Sequence, residues 1–339
     1  MNNRAFIIAE IGVNHNGDID TAKKLIKALS KMDIDAVKTQ AFSAESLAST
    51  VSELANYQSK NTSNFNSQYE MLKKYELSKE DLLHLSEYSK ELDIKFFTSV
   101  FSIDDFDKLK SLDNEYIKIP SGEFTNFELI NKATEDYDNV ILSTGLSDMK
   151  EVEAVIEWIR KKQESLDNIF ILHCTSSYPC PIDEVDIKSM MTIGKNFNVK
   201  IGFSDHTENE IASLLAVALG AKIIEKHVTL DKNMEGPDHK ASQDINEFDL
   251  FVEKIREAEK MIGKGDKQIQ KSALENLNVV KKSIYASKNI SKGEYFSKEN
   301  TKPLRPAGGI DPININQLIN KKSRNNYQKG DQISTQELN

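Results

Sequence analysis

Short apolar runs recur along the chain, each followed by apolar residues at helical spacing. The runs cover 5–11, 35–39, 94–100, 115–120, 139–144, 168–174, 199–204 and 221–227. Most are nearly continuous, as in Val140-Ile141-Leu142 and Ile169-Phe170-Ile171-Leu172. Such runs predict strands covered on both faces, as in a parallel sheet. Between them, Leu25, Ile26, Leu29 and Met32 form one helical stripe, and Val152, Val155, Ile156 and Ile159 form another. Thr207 and Glu210 read as a capping box before a helix carrying Ile211, Leu214 and Leu215. Eight strand–helix steps fit a (β/α)₈ TIM barrel, with an open doubly wound sheet as the competing arrangement. The segment 41–78 is long and polar (Ser43, Ser46, Ser49, Thr50, Gln58) and reads as an irregular loop of functional length in which Met71 and Leu72 can pack. After residue 262 the pattern changes. The domains expected are a barrel over 1–263, a linker over 264–282 and a small domain over 283–339, too short for a large core.

Composition narrows the function. No apolar run approaches the roughly 18 residues of a membrane span. The N-terminal apolar run meets Glu10 early, which reads as a buried strand rather than a signal peptide. With 53 acidic and 44 basic residues the net charge is −9, which disfavours a nucleic-acid partner. A small anionic substrate stays compatible, because a few local lysines can hold it. The 2 cysteines, Cys174 and Cys180, lack disulfide-framework or zinc-finger spacing and point to a reducing cytoplasm.

Barrel enzymes carry their chemistry at the C-terminal ends of strands. Polar residues interrupt or end every predicted strand there: Glu10, then Asn14 and His15; Lys38 and Gln40; Thr98-Ser99; Lys118, then Ser121-Gly122-Glu123; Ser143-Thr144-Gly145; His173, then Ser176 and Tyr178; Ser204-Asp205-His206; and Glu225-Lys226-His227. His206 and His227 fall on neighbouring strands and form a candidate pair of imidazole ligands, with Asp205, Glu225 and Asp238 as oxygen ligands or acceptors. Few thiolates and imidazoles favour Mn²⁺, Mg²⁺ or Co²⁺ over structural zinc. Lys38 and Lys118 break apolar strands. A buried lysine is costly unless it is paired or used. Beside Ser121, Ser143 and Ser204 they form a candidate phosphate and carboxylate pocket. Salt bridges to Glu10, Glu123 and Glu225, or a Schiff-base lysine, are the other readings.

Taken in order, Ala9-Glu10-Ile11-Gly12-Val13-Asn14-His15-Asn16-Gly17, Lys118-Ile119-Pro120-Ser121-Gly122-Glu123, Leu142-Ser143-Thr144-Gly145, Gly202-Phe203-Ser204-Asp205-His206-Thr207, Glu225-Lys226-His227 and Gly236-Pro237-Asp238-His239 form a specific set. On these motifs the chain resembles the N-acetylneuraminate (sialic acid) synthase family, which includes the legionaminate and pseudaminate synthases. Lys282-Ser283, Ile290-Ser291-Lys292-Gly293-Glu294 and Arg305-Pro306 resemble that family's antifreeze-protein-like (SAF) domain.

The resemblance implies a cytoplasmic transferase. It condenses phosphoenolpyruvate with the aldehyde of an N-acyl amino sugar, N-acetylmannosamine or 2,4-diacetamido-2,4,6-trideoxymannose. It implies that His206 and His227 hold Mn²⁺ (or Mg²⁺ or Co²⁺), and that Lys38, Lys118, Ser121, Ser143, Ser176 and Ser204 bind phosphoenolpyruvate. Glu10, Gln40, Glu123, Tyr178 and Asp238 bind or orient the sugar, with Glu123 transferring a proton and Glu10 and Lys118 also assigned to catalysis. Arg305 reaches the sugar's acyl end from the other subunit of a domain-swapped homodimer. Thr39, Val100 and Gly308 depart from the family pattern. The alternatives are a class I Schiff-base aldolase acting on pyruvate and a non-catalytic carbohydrate-binding protein.

Overall fold

The computed structural model describes residues 4–62 and 65–339; the first three residues and positions 63 and 64 of the polar segment lie outside them. Two compact units divide at Gly263. In the first, eight strands run in sequence order: β1 (Phe6–Gly12), β2 (Ala36–Ala41), β3 (Lys95–Val100), β4 (Tyr116–Ile119), β5 (Asn139–Ser143), β6 (Ile169–His173), β7 (Lys200–Asp205) and β8 (Ile223–Thr229). Each pairs in parallel with the next, and β8 returns to β1. The sheet is a closed barrel, so the open arrangement is excluded.

Alternation along each strand builds two cores. Outward residues such as Ile7, Ala9, Val37, Val140 and Leu142 pack with the helix stripes Leu25, Ile26, Leu29 and Val152, Val155, Ile156, Ile159. Burying each such aliphatic side chain contributes about 1.5–3 kcal/mol. Asp148 starts the second of these helices by accepting from the N–H of Lys150 and Glu151, while Glu151 accepts from the Asp148 N–H. Inward, Ile8, Ala36, Phe97, Ile141, Leu172 and Ile223 meet as an apolar plug. Two residues further along, the same inward face carries Glu10, Lys38, Ser99, Ser143, Cys174 and Glu225. The step from plug to polar ring positions the site.

Two expectations are corrected. Thr207 is not an N-cap: its hydroxyl donates to Asp205 Oδ1 at 2.7 Å, and the helix Ile211–Ala218 starts after Glu210 without a side-chain cap. That helix buries Ala212, Ser213, Ala216 and Val217, leaving Ile211 and Leu215 exposed. The described residues of the polar segment 41–78 form the helices Ala44–Leu47, Asn56–Asn61 and Gln68–Tyr75 over a small core of Val13, Phe42, Ala44, Met71, Leu72 and Tyr75. The stretch read as a linker contains the helix Lys271–Val280, whose Asn278 carbonyl accepts from the Ala307 N–H. That helix therefore belongs to the second unit. The second unit pairs Ser283–Ala286 with Thr301–Leu304 and closes on Ile284, Ile290, Phe296, Ile310, Leu318 and Ile333. Among the described residues no helix is long and apolar enough to cross a membrane.

Candidate active site

The C-terminal ends of the barrel strands open into a cavity of about 420 Å³. A second cavity of about 480 Å³ lies at the opposite end, over the starts of β3 and β4, and holds none of the candidate residues. At the mouth, strand register sets charged and polar groups side by side. Glu10 of β1 stands opposite Lys38 of β2 and His227 of β8, Ser99 opposite Lys118, and Ser204 opposite Glu225.

A chain of alternating charge forms the cavity floor. Lys38 Nζ lies 2.6 Å from Glu10 Oε2 and 3.7 Å from Glu225 Oε2, and donates to Ser99 Oγ at 2.8 Å. Lys118 Nζ donates to Glu225 Oε2 at 2.8 Å, and Ser204 Oγ donates to Glu225 Oε1 at 2.9 Å. All four charged groups are at most 4% exposed. Their environments separate the two carboxyls. Burial, with the Glu225 carboxylate adding to it, raises the Glu10 carboxyl, and the pull of Lys38 and Lys118 does not reverse this. Burial also opposes ionisation of Glu225, but Lys118 and Lys38 outweigh it and hold that carboxyl low. Burial pulls the Lys38 ammonium down, yet Glu10 and Glu225 keep it above its usual value. Lys118 is lowered by burial.

Above the floor, His206 and His227 lie with ring centroids 5.7 Å apart. The His206 Nδ1–H donates to the Thr175 carbonyl at 2.7 Å, which leaves Nε2 as an acceptor. His227 Nδ1 is buried without a hydrogen-bond partner. Burial depresses both imidazoles, so both are neutral, as a metal ligand must be. The pair fits a divalent cation whose other positions go to substrate or water. Among the described residues there is no group of three His, Cys, Asp or Glu side chains that would hold a metal alone. The Tyr178 ring stacks on His206 at 4.2 Å and on Tyr57 at 5.1 Å. Ser121 and Ser176 hydroxyls meet at 2.8 Å.

Apart from Asp205, the candidate catalytic, substrate-binding and metal-ligating residues of the first unit line this cavity, including Gln40, Glu123, Ser143 and Asp238. Arg305 belongs to the second unit, where it is exposed. Asp205 is a correction. It does not face the imidazoles; its carboxylate accepts from Thr207 N, Thr207 Oγ1 and Ser213 Oγ and pairs with Lys226 at 3.3 Å. Alternation predicts this, because Asp205 follows inward Ser204 and Lys226 follows inward Glu225. The sequence reading missed Tyr57 and Tyr75, which line the cavity from the polar segment. It also gave Ser99 and Cys174 no role, although both sit two residues beyond plug residues.

Two results are expected here. Gly145 has no room for a side chain: a Cβ would stand 2.8 Å from Cys174 Sγ and 3.2 Å from Ser176 N. Gly145→Ala should displace Ser176 and raise the KM for the anionic substrate at least tenfold, read from initial rates. Burial, reinforced by Glu10, raises the Asp238 carboxyl from 3.8 to about 7. Below 3.8 the group is protonated folded and unfolded, so there is no penalty. Between 3.8 and about 7 the folded state holds the extra proton and stability falls as pH rises. Asp238→Asn should therefore stabilise the ligand-free protein at pH 8 by about 2–4 kcal/mol and not at pH 3.5, measured by urea unfolding.

A closed parallel barrel with a buried lysine–carboxylate floor and a neutral imidazole pair defines a (β/α)₈ enzyme built for a small polar substrate. A family model described as the NeuB family matches residues 25–267, and one described as the SAF domain matches 281–339. The chain belongs to the NeuB family and is an enzyme of the nonulosonic acid synthase type. It is 42% identical to the N,N'-diacetyllegionaminic acid synthase of Campylobacter jejuni, covering 97% of this chain and 99% of that one. It is 41% identical to the synthase of the same name from Legionella pneumophila, covering 96% and 92%. The crystal structure of the N-acetylneuraminic acid synthetase of Leptospira borgpetersenii is similar at TM-score 0.70 and 31% identity, over 81% of this chain and 90% of that one. The non-catalytic alternative is set aside.

Proposed function

We propose that the protein condenses phosphoenolpyruvate with the open-chain aldehyde of an N-acylated amino sugar. The acceptor is N-acetylmannosamine or 2,4-diacetamido-2,4,6-trideoxymannose, giving N-acetylneuraminate or N,N'-diacetyllegionaminate. One observation carries the reading: two lysines, Lys38 and Lys118, are buried side by side on the floor of the barrel mouth. Their neighbours Ser99, Ser143 and Ser204 supply hydroxyls, and Ser143 Oγ has no partner of its own. Phosphate and carboxylate oxygens require this mixture of fixed charge and donors.

In the reaction, C3 of phosphoenolpyruvate bonds to the aldehyde carbon, and the aldehyde oxygen takes a proton. Water adds at C2, and phosphate leaves with its bridging oxygen as the ketone forms. Phosphoenolpyruvate, sugar and water are consumed; one nonulosonate and one phosphate are produced. Lys38, Lys118, Ser121, Ser143, Ser176 and Ser204 hold the anion. Glu225, fixed as a carboxylate between the lysines, keeps both ammonium groups in place. Glu10, Gln40, Tyr178 and Asp238 orient the sugar, and Glu123 delivers the proton to the aldehyde oxygen. A divalent cation, Mn²⁺ first and Mg²⁺ or Co²⁺ after it, held by His206 and His227, would supply Lewis-acid polarisation of that aldehyde. We assign Arg305 to the acyl end of the sugar in a domain-swapped homodimer and the reaction to the cytoplasm, a reading that the free thiols Cys174 and Cys180 support.

The test is a mass balance with Mn²⁺ present. One phosphate per nonulosonate is expected, and none when either substrate is omitted. No release with either sugar contradicts the proposal. The lowered Lys118 ammonium favours one rival, a Schiff-base aldolase, but its ion pair with Glu225 keeps the nitrogen lone pair unavailable. Borohydride with pyruvate should leave the protein mass unchanged.

A further inference from the structure

The cavity has two unlike halves. Its floor is charged and holds the reacting groups. Its outer wall combines Val13 just after β1, Leu47, Met71 and Leu72 of the segment after β2, and Phe101 just after β3. Among the described residues fully buried in that small core, Tyr75 is the one that brings a polar side-chain atom. Tyr75 is 1% exposed and lines the cavity, and its hydroxyl has no hydrogen-bond partner. A buried hydroxyl is ordinarily paired, so an unpaired one beside a binding cavity points to a ligand atom.

We propose that this wall selects an acceptor sugar whose far end is a methyl group flanked by an acylamido group, and that Tyr75 is the residue that reads the acylamido group. The inference rests on the synthase reading above. The aldehyde carbon must lie over the lysine floor and the imidazoles, so the opposite end of the six-carbon chain extends to the outer wall. A hydroxymethyl group against those five side chains finds no hydrogen bond, because the polar groups of Tyr57, Gln58 and Gln68 that also line the cavity bond one another, and it loses its water without compensation. A methyl group loses nothing and gains apolar contact. The adjacent nitrogen substituent supplies the amide that satisfies the Tyr75 hydroxyl, which burial keeps protonated by raising it to about 12. The segment is held over the mouth: Asn61 Nδ2 donates to the Pro237 carbonyl at 3.0 Å, beside cavity residue Asp238. A 4-acylamido-4,6-dideoxy end has this chemistry, and 2,4-diacetamido-2,4,6-trideoxymannose carries it, whereas N-acetylmannosamine ends in hydroxyls.

The experiment compares phosphate release with the two sugars at fixed phosphoenolpyruvate and Mn²⁺, for the wild type and Tyr75→Phe. Expected is a kcat/KM ratio of about 10² in favour of the trideoxy sugar, the range an apolar pocket achieves against an added hydroxyl. Tyr75→Phe, which keeps the ring and its packing, should raise the KM for that sugar about five- to tenfold and leave the KM for phosphoenolpyruvate unchanged. A merely structural role would move both. Equal or better use of N-acetylmannosamine, or a Tyr75→Phe enzyme with unchanged discrimination, overturns the inference and leaves the synthase reading standing. Absence of release with either sugar overturns both.

Discussion

Replacing Lys38 by methionine should lower kcat/KM for phosphoenolpyruvate by about 10³-fold or more and destabilise the protein by about 3–5 kcal/mol. The two effects have different origins. Lys38 is the cation shared by Glu10, at 2.6 Å, and Glu225, at 3.7 Å. Methionine keeps the length of the side chain and removes the charge. Glu10 is then left buried with no cation in contact, and Glu225 keeps only Lys118. Breaking a buried pair from one side costs far more than the pair contributed, because the remaining charge has neither water nor partner. Glu10→Gln in the same chain removes that charge, so the double variant should recover most of the stability in denaturant unfolding. Activity should not return, since the anion's ammonium partner is still missing. A single variant of wild-type stability would show that Lys38 is not needed to hold the floor together. A double variant with restored activity would remove Lys38 from substrate binding.

The second large effect has opposite signs in its two readouts. His227→Leu should reduce activity by about 10³-fold or more, as loss of a group stabilising developing charge does. It should leave the ligand-free protein at least as stable as before. The His227 ring buries Nδ1 with no partner, and an unsatisfied buried nitrogen costs about 1–3 kcal/mol. Leucine has similar bulk and no such atom. Mn²⁺ should raise the melting temperature of the wild type and not that of the variant, and a chelator should reproduce the activity loss in the wild type alone. A variant that loses stability in parallel with activity would make His227 a packing residue. A Mn²⁺ shift that survives the substitution would place the cation elsewhere.

Much of this site is legible from the chain because a closed barrel obeys two short rules. Apolar strand runs give the barrel, and alternation along each run gives the inward face. Glu10, Lys38, Ser143 and Glu225 stand out because each breaks an apolar run two residues beyond the plug, and His227 stands two residues further along β8. The same rule turns Asp205 and Lys226, at odd positions along β7 and β8, outward into a network with Thr207 and Ser213. The wall was not legible for a different reason. Tyr57 and Tyr75 occupy a polar segment with no strand period, and tertiary packing against Val13 and Phe101 brings that segment over the mouth. The departure at Gly308 has a local cause: its φ of +119° lies where a side chain is strained.

The most direct measurement of the central claim uses phosphoenolpyruvate carrying ¹⁸O in its bridging oxygen, with Mn²⁺ and 2,4-diacetamido-2,4,6-trideoxymannose, followed by ³¹P NMR. Carbon–oxygen cleavage in the lysine-floored cavity predicts inorganic phosphate with the isotope-shifted resonance, formed only when the sugar is present. Phosphate without the label, or none with both substrates present, would contradict the account.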